Sequence, residues 1–126
     1  MSQWIRRSHF QRKQRHLYAL VFDSERAVYV GQSTDIKRRA QQHASTRGGW
    51  LRPFRVVHLE TIEGTFAQAE EREYVWRWVA HIKGYTVYVQ PPNVRVNLGR
   101  RMGLLRRLEA WRTWLLVGWP RKQADD

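Results

Sequence analysis

An α+β fold with a small three-stranded sheet flanked by helices is what this 126-residue sequence predicts. Three observations carry that expectation. Two short apolar runs, Leu17 to Phe22 and Ala27 to Val30, are joined by only four polar residues, the pattern of a β-hairpin. A third run, Phe54 to Ile62, carries Val56, Val57 and Leu59. Two segments with helix-start signals alternate with these strands. The order is β-β-α-β-α, with a sheet that is at least partly antiparallel, followed by a C-terminal amphipathic helix.

Taken in order, residues 1–15 form a basic arm in which Arg6, Arg7, Arg12, Lys13 and Arg15 meet no acid. The hairpin follows, and Gly31 ends its second strand. Ser33-Thr34-Asp35 opens a helix, with Ser33 or Thr34 as N-cap and Asp35 in the first turn. That helix runs to Ser45 and buries Ile36, Ala40 and Ala44, until Thr46-Arg47-Gly48-Gly49 breaks it. After the third strand, Thr65-Phe66-Ala67-Gln68 has the form of a capping box opening a long helix to Lys83, which Gly84 stops. Tyr85 to Val89 is extended or a short strand, and Pro91-Pro92-Asn93 is a turn. Leu104, Leu108, Trp111 and Leu115 then mark the buried stripe of the last helix, with Trp111 in the core. Residues 100–126 are this basic helix and its tail, packed on the same domain.

Composition narrows the function. The length suits one domain. No cysteine is present, which excludes disulfides, thiol catalysis and Cys-ligated zinc. No apolar run approaches the ~18 residues of a membrane span, and no secretory signal is visible, so a cytoplasmic protein is expected. Lys and Arg number 23 against 11 Asp and Glu, a net charge of +12. The excess sits at the two ends: residues 1–16 and 93–126 each carry +5. A polyanion is the partner such ends fit, nucleic acid above all, against the plainer reading of a solvated tail.

No HExxH, P-loop, nucleophile elbow or dinucleotide fingerprint occurs. Arg39 and His43, four apart, share one helix face at the border of its buried side. The strand carrying Tyr29 leads straight into that helix. A hydroxyl, a guanidinium and an imidazole can thus converge beside the sheet, or else be a surface Arg and a half-buried His.

A resemblance bears on that choice. Leu17-Tyr18, then Tyr29-Val30-Gly31, then Asp35-Ile36-Lys37-Arg38-Arg39 and His43 resemble the signature of the GIY-YIG nuclease family. The tyrosines stand eleven apart, as in phage homing-endonuclease members, and Arg39 and His43 follow Gly31 by eight and twelve. Glu73, three before Trp76, resembles the family's metal-binding glutamate, and Asn97 its closing asparagine. The first motif departs from the family pattern: it reads His16-Leu17-Tyr18, without the usual Gly and Ile.

The resemblance covers residues 16–99 and implies an endonuclease dependent on Mg²⁺ (or Mn²⁺) that hydrolyses phosphodiester bonds in DNA, branched or partly single-stranded. It implies Glu73 as metal ligand, Arg39 on the scissile phosphate, and Tyr18 as base with Tyr29 positioning water or phosphate, an order the family also supports in reverse. His43 would orient a tyrosine hydroxyl or relay its proton. The arm's bases, with Lys37, Arg38, Arg39, Arg100 and Arg101, would contact DNA. The rivals are a non-catalytic nucleic-acid-binding module on the same fold, or a subunit directed by a partner or a second copy at the C-terminal helix.

Overall fold

The computed structural model describes residues 11–45, 50, 52–90, 94–95, 104–116 and 119. At its centre lies strand β1 (Lys13–Phe22), paired antiparallel on one side with β2 (Ala27–Ser33) and on the other with β3 (Arg55–Gly64). The hairpin turn is a short 3-10 turn, Asp23–Glu25, closed by Arg26 in the left-handed region (φ 51°), whose N–H donates to the carbonyl of Asp23.

The sheet exceeds the three strands expected. A fourth strand, β4 (Thr86–Gln90), pairs parallel with β2, from Ala27 opposite Thr86 to Tyr29 opposite Tyr88. A two-residue β5 (Val94–Arg95) edges it, so the order is β3-β1-β2-β4-β5. Local pattern left Tyr85–Val89 open because its partner lies far away in the chain. The pairing is set when the N–H of Thr86 reaches the carbonyl of Arg26.

Two helices follow the sequence signals closely. Helix α1 (Ile36–Ala44) is capped by Asp35 itself, whose carboxylate accepts the N–H of Arg38 at 3.1 Å; Ser33 and Thr34, the expected caps, lie just outside. Its inward residues are Ile36, Ala40 and the buried His43, while Ala44 is exposed. At about 100° per residue, position 43 falls about 20° from Ile36 and position 44 about 80° away, so geometry selects the histidine. Helix α2 (Phe66–Ile82) has the capping box in full: Thr65 Oγ1 accepts from Gln68 N, and the Gln68 side chain accepts from Thr65 N at 2.9 Å. It ends in a Schellman motif, with Gly84 (φ 98°) donating to His81 and Tyr85 to Ala80.

Alternation along β1 gives the sheet two different faces. Leu17, Ala19 and Val21 pack beneath Trp76, Val79 and Ala80 of α2. Tyr18, Leu20 and Phe22 face the other way, toward Trp50, Tyr88 and Ile36 of α1.

The last helix, α3 (Leu104–Leu116), corrects the expected stripe. Leu108, Leu115 and Trp111 (46% exposed) face outward, and the Leu104 side chain lies outside the described residues. Ala110 and Thr113 are buried instead. The reason is the polar seam to α2: Arg72 pairs with Glu109 and donates to Thr113 Oγ1, and Arg106 pairs with Glu71. Small residues between those pairs let the helices approach, so Leu packing does not set the rotation. Trp119 is buried against Trp76. Among the described residues, no helix is long and apolar enough to cross a membrane.

Candidate active site

β1 and β2 present Tyr18 and Tyr29 on the α1 face, and Gly31, directly across from Tyr18, leaves room between them. A Cβ built on Gly31 would sit 2.7 Å from the Tyr18 hydroxyl and 3.1 Å from the Tyr29 ring, so glycine is required by space rather than by turn geometry. Into that room α1 lowers His43. The Tyr18 hydroxyl lies 2.6 Å from His43 Nε2, and the Tyr29 ring sits edge-on to the imidazole at 5.1 Å. Trp50 closes the cluster against Tyr29 and donates its backbone N–H to the carbonyl of His43.

Burial, with the nearby Arg39 charge, drives the His43 pKa down to about 4. At neutral pH the imidazole is therefore uncharged. With the imidazole proton on Nδ1, Nε2 accepts and the Tyr18 O–H donates. Burial also pushes both phenols up, and the charge of Glu73 pushes in the same direction. Arg39 opposes this at both tyrosines through hydrogen bonding and charge, although it is itself exposed and donates to Gln42 Oε1 at 2.9 Å.

Glu73 arrives from α2. Its side chain is 9% exposed, and burial raises its pKa. Gln32 Nε2 donates to its Oε2 at 3.1 Å. No ion pair joins it to Arg77 among the described residues; Arg77 lies over the Tyr74 ring and acts on Glu73 and Tyr29 by charge alone. A buried carboxylate short of countercharge fits a hard cation. No group of three or more acidic or imidazole side chains gathers among the described residues.

The structure thus brings Tyr18, Tyr29 and His43 into direct contact, and puts Arg39 and Glu73 within electrostatic reach of both phenols. Lys37 and Arg38 are exposed on α1. Arg12 is exposed and donates to the carbonyl of Glu63, and Lys13 opens β1. Arg15, expected among the DNA-contacting bases, lies within the sheet. It is 6% exposed inside β1, with its Nε donating to the carbonyl of Gly64, because strand alternation turns it inward. Arg6, Arg7, Arg100, Arg101 and Asn97 lie outside the described residues.

Gln32 is the residue sequence reasoning missed. Its signal was present: Val28, Val30 and Gln32 share one strand face, and a polar side chain closes that apolar series. The sequence pattern of the GIY-YIG catalytic domain matches residues 14–83, more than half of the chain. Among curated proteins and solved structures, none matches significantly.

Proposed function

The chain belongs to the GIY-YIG family, and from that premise we propose that it is a metal-dependent endonuclease hydrolysing phosphodiester bonds in DNA. The fold is that of a nuclease catalytic domain. The observation that carries the catalytic reading is the 2.6 Å hydrogen bond from Tyr18 to a neutral His43. A phenol this buried resists ionisation, so it serves as base only if its own proton has somewhere to go. His43 Nε2 is that acceptor: as Tyr18 takes a proton from the attacking water, it passes its own to the imidazole.

Arg39 offers a planar fork to the scissile phosphate and offsets charge that builds in the transition state. Tyr29, which packs on the same imidazole, orients the water or phosphate. Glu73, oriented by Gln32, would hold Mg²⁺ or Mn²⁺. When bound there, that ion supplies Lewis acidity to the phosphate and lowers the pKa of its water. Asn97 is proposed as a further site residue from the motif alone. The basic ends would bind DNA, branched or partly single-stranded, and the cysteine-free sequence suits a cytoplasmic setting. A protein partner or second copy would meet the exposed Leu108 and Leu115 face of α3.

The test is cleavage of duplex, nicked, flapped, branched and single-stranded DNA with and without Mg²⁺, beside Glu73→Ala. The wild-type protein should cut at least one substrate only with the metal. Glu73→Ala should lose at least ~10³-fold in rate while still binding DNA, since the metal and not the phosphate contact is removed. Undiminished cleavage by Glu73→Ala would overturn the reading.

A further inference from the structure

Beside the catalytic cluster, the same sheet face carries a second polar group that the proposed chemistry does not use. His16 Nδ1 lies 2.9 Å from Thr61 Oγ1, and His58 Nε2 lies 2.8 Å from the same oxygen. The two imidazoles stand edge to face at 5.7 Å. His58 and Thr61 are three apart on one strand, so simple alternation would send them to opposite faces. A bulge in β3 prevents this: Leu17 pairs with Glu60 but Tyr18 with His58, leaving Leu59 as the extra residue. The bulge turns both side chains toward His16, and re-aiming a side chain next to an active site is a known use of such bulges.

Proton counting shows what the group presents. The threonine hydroxyl can accept from both imidazoles or donate its one proton to either of them. The outer nitrogens, His16 Nε2 and His58 Nδ1, have no partner among the described residues. A ring that accepts the hydroxyl proton carries its own proton on the outer nitrogen, as an N–H donor. An outward N–H beside a second imidazole, with a hydroxyl between them, fits an anion.

Position names the anion. His58 sits across from Tyr18, and His16 lies two residues along β1, a step of about 6.6–6.8 Å. That step is comparable with the spacing of successive phosphates in a nucleic-acid strand. We propose that His16, Thr61 and His58 form a binding subsite for the DNA phosphate next to the one that is cut. The inference rests on the nuclease reading and adds a substrate contact to it.

The experiment compares the wild-type protein with the His16→Ala/His58→Ala double variant and with Thr61→Val, which keeps the side-chain shape. Binding of a fluorescein-labelled branched DNA is measured by anisotropy in EDTA. Steady-state cleavage of the same DNA is measured with Mg²⁺, and thermal melting checks the fold. Kd and KM should rise roughly tenfold in the double variant and less in Thr61→Val, with kcat little changed. The defect should disappear on DNA carrying a neutral methylphosphonate beside the cut. Unchanged Kd and KM in a wild-type protein that cleaves would sink the subsite alone. A fall in kcat at constant KM, or a defect that persists on the methylphosphonate, would do the same by showing a structural role. A wild-type protein that cleaves none of the panel would overturn the nuclease reading and the subsite with it.

Discussion

The two faces of one sheet obey different rules. Beneath α2, the face of Leu17, Ala19 and Val21 is aliphatic, buried and closed by Trp76, whose indole N–H finds Glu60 Oε1 at 2.9 Å. Across the same strand, the face of Tyr18 and Tyr29 is aromatic and polar, with a buried imidazole where a leucine would pack better. Residues one apart in β1 therefore differ in role. The α2 face holds the chain together, and the α1 face keeps ionisable groups in an environment that shifts them. The division is not absolute, since α2 also delivers Glu73 around Gln32 toward the phenols.

If that contrast is right, substitutions on the two faces should fail in opposite ways. Trp76→Ala should cost about 3–5 kcal/mol of stability, the range for emptying a large aromatic site, and any surviving folded protein should keep its chemistry. Urea denaturation measures the first and active-site titration the second. Tyr18→Phe should do the reverse. Cleavage should drop by about 10²–10⁴-fold for loss of the proton path, while stability falls by only about 1–3 kcal/mol, because His43 Nε2 loses its buried partner but no cavity opens.

The pH dependence sharpens the comparison further. His43 titrates near 4 in the fold against 6.5 for the ordinary group. Between those values the unfolded chain binds more protons, so stability is fully present above about pH 6.5 and is lost as pH falls toward 4. The total is on the order of 3 kcal/mol, and His43→Asn should flatten that slope in denaturation curves taken from pH 7 to pH 4. An unaltered slope would place the acid sensitivity elsewhere.

The smallest effect concerns the chain ahead of the sheet. Because Lys13 and Arg15 belong to β1, deletion must stop before them, and removing residues 1–10 takes away Arg6 and Arg7 only. Counterion release then predicts a plot of log affinity against log salt flatter by roughly 2 units, with kcat unchanged. An identical slope would mean that those arginines touch no phosphate.

Local signals carried much of this fold. Apolar runs gave β1, β2 and β3, the Thr65/Gln68 pair gave the start of α2, and Gly84 gave its end, because strand alternation, capping and a left-handed glycine act over a few residues. The motif spacing singled out Tyr18, Tyr29, Arg39, His43 and Glu73, of which the first, second and fourth meet directly. Stripe counting failed at α3. Leu108 and Leu115 look like a buried seam, yet Arg72 and Arg106 orient the helix by ion pairs to residues far away in the chain. Charge placed Arg15 in a basic arm, whereas strand parity buries it within β1.

By itself, then, the sequence determined the first three strands, both ends of α2, the charge and the candidate site residues, since each is written in neighbours a few positions apart. Tertiary structure alone decided that β4 lies parallel to β2, that α3 turns its leucines outward, and that a bulge sets His58 beside Thr61. It also decided that burial, not sequence spacing, keeps His43 neutral beside Tyr18. Desolvation and long-range pairing depend on what the rest of the chain brings near a group, and no local pattern contains that information.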